Sequence, residues 1–264
     1  MFSVTTLQPL TGRESLPCRS TAAKCALCRE ERPLRRSHVI PEFMFRPLYD
    51  KKHRFWGVSN IPTKPNRIFQ KGPREKLLCN ECEQRLSRYE SYASDVFFGN
   101  AATKPMPTRT GLLFTGVIYK PLKLFFMSLL WRLGTTSIRE LKGAELGRHQ
   151  ERIRSLIAAD DPADFLTFPG MVTALTFERK HIPGLIVPPL HARIEGRRVW
   201  AVVITGYLFH FVVSNRKPEE RFWGGFLQEN GNFPLHISEI RNVAYLQKWG
   251  SEIAAAERAR KQLQ

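Results

Sequence analysis

The spacing of hydrophobic and polar positions changes character several times along the chain. Residues 1–21 are rich in Ser, Thr and Pro with no apolar period, which predicts a flexible polar tail. Around the apolar pair Leu77-Leu78 the pattern turns helical. Leu86, Tyr89, Ala93 and Val96/Phe97 recur at steps of three and four, predicting a helix over 81–98 with one buried face. A polar link over 99–110 separates this from a second half of different character. Residues 119–133 read as a strongly apolar helix containing Trp131, and 143–159 as an amphipathic helix with Leu146, Ile153, Leu156 and Ile157 on one side. A short helix or turn is expected over 162–168. The period then falls to two: strands are expected at 171–178, 190–195, 198–205 and 207–214, with tight turns at Gly196-Arg197 and Gly206. A short apolar segment at 233–235 and a helix from about Ser238, with a fraying basic end, close the pattern.

The predicted fold class is α+β. A small module over residues 22–98 is followed by an accessory or recognition domain over 99–264 with an antiparallel sheet. A hydrophobic fraction of 42% with 18 Phe and 5 Trp is ample for a packed interior and excludes global disorder. The most apolar window, 122–133, is a dozen residues long and contains Lys123 and Arg132. About 20 apolar residues are needed to span a bilayer as a helix, so this window reads as buried core. No charged segment followed by an apolar run marks a secretory signal, and a soluble, cytoplasmic protein with no membrane partner is expected.

Charge changes the picture. Lys and Arg total 41 against 24 Asp and Glu, a formal net charge of +17. Phosphates release counterions when Lys and Arg neutralise them, so DNA or another nucleic acid is the first partner such an excess suggests. The alternative is a generally basic surface with no specific partner.

Four of the five cysteines form two C-x-x-C pairs, Cys25/Cys28 and Cys79/Cys82. A two-residue spacer lets both thiolates of a pair reach one ion from a tight turn, and two such knuckles complete an S4 set, the closed arrangement of a structural Zn²⁺. Disulfides and a thioredoxin-like redox pair are the weaker readings. Cys18, in the polar tail, reads as a spare thiol. A knuckle, a hairpin, and a second knuckle opening a helix is the treble-clef order, in which metal substitutes for a core too small to hold itself.

Between the knuckles lies Leu34-Arg35-Arg36-Ser37-His38-Val39-Ile40-Pro41. A C-x-x-C, a His followed by two β-branched residues and Pro, then Leu-Leu-Cys-x-x-Cys opening a helix resembles the HNH endonucleases, zinc-bearing members of the ββα-metal group. The resemblance covers residues 22–98, and within it the chain looks like a divergent bacterial and phage subgroup with Ser-His-x-Ile-Pro cores. It implies a metal-dependent endonuclease in which His38 is the general base. Glu83, directly after the last Cys, takes the position of a divalent-metal ligand. Glu90, seven residues on, shares its helix face, so the two are candidate ligands for Mg²⁺ or Mn²⁺. Arg35, Arg36 and Arg85 are candidate phosphate contacts. The chain departs from the family pattern at two places. Ser37 stands where an Asp or His ligand is usual, and Arg74 lies near the position of the family Asn. The alternative is a non-catalytic, zinc-stabilised nucleic-acid-binding or regulatory protein. There His38 packs within the hairpin and Glu83 only charge-balances the start of its helix.

The segment 42–75 interleaves rings (Phe43, Phe45, Tyr49, Phe55, Trp56, Phe69) with Arg and Lys. That mixture fits either a base-stacking surface or a loop whose rings pack inward. The second half has no phosphate loop, G-x-G-x-x-G or nucleophile elbow. His191, His210 and His236 read as sheet histidines.

Overall fold

The computed structural model describes residues 23–59, 61–99, 103–141 and 143–262; Cys18 and the expected tail lie outside them. Short pieces come first. Strands β1 (Ala23–Lys24) and β2 (Glu31–Arg32) pair antiparallel around the first C-x-x-C. β3 (Leu34–His38) leads into two single 3-10 turns and then a ribbon, β4 (Phe55–Gly57) with β5 (Arg67–Phe69). β6 (Arg74–Cys79) returns antiparallel to β3 and runs directly into helix α1 (Asn80–Phe98). Glu81 and Glu83 in the first turn suit the positive end of the helix dipole. Gly99, in the left-handed region at φ 82°, closes it. Leu86, Tyr89, Ala93 and Val96 are buried, as their spacing predicts.

The β4–β5 ribbon divides the aromatic segment. Phe55 stacks on Phe69 and meets Phe45 and Tyr49 at a tilt, so these rings pack inward. Trp56 and its cross-strand partner Ile68 face outward, with Trp56 67% exposed.

Beyond the link, hairpin β7 (Met106–Thr108) and β8 (Gly111–Phe114) precedes α2 (Tyr119–Thr135). Every residue from Leu122 to Leu133 is buried, including Lys123, Ser128 and Arg132, so this helix is the spine of the core. Lys123 Nζ donates to the carbonyls of Thr167 (2.7 Å) and Phe168, and burial pulls its pKa down to about 7. Helix α3 (His149–Ala158) starts later than its apolar period suggests. Gly143 and Gly147 have positive φ, which a right-handed helix cannot accommodate.

Strands β9 (Gly170–Phe177), β10 (Lys180–His181), β11 (Val187–Ile194), β12 (Arg197–Ile204), β13 (Tyr207–Val212) and β14 (Phe233–Glu239) complete one sheet. Its order is β11-β12-β13-β9-β14-β8-β7, with β10 pairing β9. The pairs are antiparallel except β14 with β9, which is parallel. That pair corrects the expected helix start at Ser238: Ile237 to Glu239 pair with Ala174 to Thr176, and helix α4 (Ala244–Gln262) begins only after this ladder ends. The β11–β12 turn is also displaced by one residue. It is Glu195-Gly196, both at positive φ, the two-residue form that matches strand twist.

Aromatic contacts from Phe126 to Phe209 and Phe233 seat α2 on one face of the sheet. A second cluster, Leu175, Val187, Ala201, Val203 and Leu208 with Leu246, packs α4 on the other. Buried on both faces, β12 is a continuous apolar run instead of an alternating one. The larger core cluster runs unbroken from Cys25 through α1 and α2 to Leu235, joining the two expected domains in one interior. Among the described residues, no helix is long and apolar enough to cross a membrane.

Candidate functional site

Three layers of the hairpin region carry chemistry: the cysteines, the end of β3, and the inner face of α1. The Sγ atoms of Cys25, Cys28, Cys79 and Cys82 all lie within 4.8 Å of one another. A tetrahedral S4 zinc site with Zn–S of about 2.3 Å has S···S edges of roughly 3.8 Å. The Cys28–Cys79 separation is 3.9 Å. The donor set therefore fits such an ion, and among the described residues no other group of three or more Cys, His, Asp or Glu side chains is gathered this way. The knuckle has its own backbone scaffold: Cys25 N–H bonds Glu30 O, Arg29 N–H bonds Cys25 O, and Arg29 takes a positive φ. Cys79 N–H points at Cys25 Sγ at 3.3 Å. Burial acts to raise the Cys25 thiol, but N–H groups of Cys79, Cys28 and Leu27 outweigh it and hold its pKa below the usual value.

A bulge locks the hairpin to this knuckle. Arg35 pairs with Leu78 and Arg36 with Lys76, so Leu77 is the extra residue. Its carbonyl is free to accept the Ala26 N–H at 3.0 Å. The neighbouring Leu78 N–H donates to Ser37 Oγ at 3.1 Å, and Ser37 is buried. Ser37 thus satisfies a backbone donor at the bulge and does not face the side of β3 where His38 lies.

His38 ends β3 directly opposite Arg74. Its Nε2 receives a hydrogen bond from Arg74 Nε at 2.7 Å and lies 2.7 Å from Glu42 Oε2. Tyr49 O–H holds the other Glu42 oxygen at 2.8 Å. One nitrogen cannot accept from Arg74 and donate to Glu42 at once, so the two contacts belong to different proton states. Burial first, and then Arg74, hold the His38 pKa below its ordinary value, against the opposing pull of Glu42. The imidazole is 21% exposed.

Glu83 and Glu90 sit on the α1 face toward α2. Glu90 is paired with Arg132 Nη1 at 2.8 Å, and the same nitrogen donates to the His38 carbonyl at 3.0 Å. Burial and the like charge of Glu83 raise the Glu90 pKa although Arg132 opposes them. Glu83 Oε1 is buried with no hydrogen-bond partner among the described residues. Glu90 is thus answered by a guanidinium, while its neighbour in charge, Glu83, keeps one oxygen unanswered. Mg²⁺ needs only one or two protein carboxylates beside water and phosphate, so the pair fits a hard divalent cation in kind.

The three expected phosphate contacts diverge. Arg35 holds Asn80 Oδ1 with two nitrogens (2.9 and 3.2 Å) at the surface, and Arg36 is exposed. Arg85 donates to Ala158 O and ties α1 to the end of α3. Sequence reasoning missed Glu42, Arg74 and Arg132 as partners of His38, and Tyr49 as the residue that holds Glu42. Glu42, four residues after His38 and just past Pro41, was the one with a local signal. In comparisons with protein-family models, curated proteins and solved structures, nothing matches this chain.

Proposed function

We propose that the chain is an HNH-type endonuclease that cleaves DNA phosphodiesters with His38 as general base, on a treble-clef module held by structural zinc. The observation that carries this reading is the pair of contacts at His38 Nε2. Neutral His38 offers its lone pair to Arg74. When it takes a proton from an attacking water, Nε2 becomes a donor and Glu42 Oε2, already 2.7 Å away, becomes its partner. The Arg74 guanidinium is displaced by the same event and released toward a phosphate oxygen, which its planar fork suits. Glu83 and Glu90 are the residues that would hold a divalent cation. When bound, the cation supplies Lewis-acid polarisation of the phosphoryl group. An S4 zinc centre of free thiolates suits a reducing compartment such as the cytoplasm.

The test is nicking of supercoiled plasmid with Mg²⁺ or Mn²⁺. General-base removal costs about 10²–10⁴ in rate, so His38→Ala should lose at least a hundredfold. Glu42→Gln removes the partner of the imidazolium, so the pH at which the rate is half-maximal should move lower. Equal, negligible cleavage by wild type and His38→Ala with both metals would sink the catalytic reading.

A second reading is favoured by a specific contact. The Arg132–Glu90 pair already answers one carboxylate with a fixed cation, as a non-catalytic nucleic-acid-binding protein of the same fold would do. Salt-dependent DNA affinity without any nicking is the outcome that selects it.

A further inference from the structure

Far along the sequence from the cysteines, the start of α3, the β11–β12 hairpin and the segment after β13 enclose a cleft of about 410 Å³. Arg148, Arg193, Arg198 and Arg216 line it, with His149 and Asn215. No carboxylate-bearing residue is among the lining groups. The acid of the hairpin turn, Glu195, is turned away onto Arg197 and Arg221. Arg193 and Arg198 are direct cross-strand partners, an arrangement of like charges that destabilises an antiparallel pair. Arg198 is only partly relieved, by the Glu145 carbonyl at 3.2 Å. His149 feels the same field: burial, then Arg148, Arg152 and Arg198, hold its pKa low. A sheet that places two guanidinium groups face to face, beside two more and no acid, is built to be neutralised from outside. Guanidinium forks match the paired oxygens of a phosphate, and all four cations here are arginine.

We propose that this cleft binds the phosphate backbone of a nucleic acid, giving the second half of the chain a grip on the target separate from His38. The inference rests on the reading that the protein acts on nucleic acid. It adds where that polymer is held. Helix α3 connects the two regions, since its Glu151 pairs with Arg29 at 2.9 Å and Arg154 donates to the Leu27 carbonyl, both in the cysteine knuckle. His149 in the cleft and Arg154 at the knuckle are five residues apart, about 7.5 Å of helix rise, a span that one phosphodiester strand can bridge.

The experiment measures fluorescence anisotropy of a labelled 30-base-pair duplex against salt, for wild type, Arg193→Gln/Arg198→Gln, and Arg193→Lys/Arg198→Lys. Each phosphate contact contributes about 0.9 to the slope of log K against log[salt]. The Gln pair should flatten that slope by about 2 and weaken binding roughly tenfold or more at 100 mM salt, while the Lys pair keeps most of the slope. Independently of any variant's folding, the wild-type His149 ring should titrate at a higher pH when saturated with duplex than when free, as followed by NMR. A Gln pair with unchanged affinity and slope, or a His149 midpoint unmoved by duplex, overturns the cleft while leaving the His38 reading intact. Polyglutamate displacing the duplex as well as unlabelled DNA does overturns it in favour of an acidic protein partner. Loss of nicking in His38→Ala with wild-type binding, by contrast, bears only on the hairpin.

Discussion

The hairpin module and the sheet half solve the same problem by different means. Up to residue 98 the strands are two to six residues long, and four of the buried or half-buried side chains are cysteines gathered at one point. From residue 170 onward, five strands of six to eight residues lie side by side, covered by α2 on one face and α4 on the other. The first region gathers a four-cysteine set that could hold an ion, and the second rests on buried area alone. On the proposed reading the chemistry would sit beside that ion: an imidazole between a carboxylate and a guanidinium is costly to bury, and a metal-clamped hairpin would fix it without a deep core of its own.

Metal removal tests that contrast most severely. Structural zinc contributes roughly 10–16 kcal/mol of apparent binding energy in small fingers. Chelation, or Cys79→Ser, should collapse hydrogen-exchange protection over β3, β6 and the first turns of α1 while β12 and β13 stay protected. Uniform loss would show that the shared core makes the two regions one cooperative unit. The next effect is at their junction. Arg132→Met leaves Glu90 uncompensated and should cost about 3–5 kcal/mol in urea unfolding, and Arg132→Met/Glu90→Gln should recover much of it. In the sheet half, burial holds His210 near a pKa of about 4, against 6.5 when unfolded. The unfolded chain then binds the extra proton, so stability is full above pH 6.5 and falls as the pH drops from 6.5 to 4. The loss is about 3 kcal/mol, and His210→Asn should flatten the profile of melting temperature against pH. The smallest change is Ser37→Ala, which strands the Leu78 N–H at the bulge for about 1–3 kcal/mol. Its effect should be confined to the hairpin module.

Much of this architecture was legible in the sequence, and the gaps have physical causes. The C-x-x-C pairs, the spine helix and the four central strands announce themselves by local spacing. Arg132 and Glu90 are 42 residues apart, and nothing local says that a charge inside an apolar helix will meet a carboxylate on another. Ser37 fills a metal-ligand position by analogy, yet its use depends on a bulge at Leu77, which shifts the ladder by one residue. The same one-residue sensitivity hid the basic cleft. With the β11–β12 turn at Gly196-Arg197, Arg193 would face Trp200; with the turn at Glu195-Gly196 it faces Arg198.

The parallel pairing of β14 has a consequence for how the chain is made. β14 lies between β8 and β9, yet it is the last of this sheet's strands to be synthesised, and Phe114 waits for Phe233. At roughly 5–20 residues per second a ribosome needs about 6–24 s to cover that interval. All four clustered cysteines emerge long before it ends, so that cluster can gather while β8 and the apolar spine are still without their partner strand. The nascent protein therefore passes through a stage with its cysteines gathered and its sheet still open, and chaperone demand should concentrate on the second half.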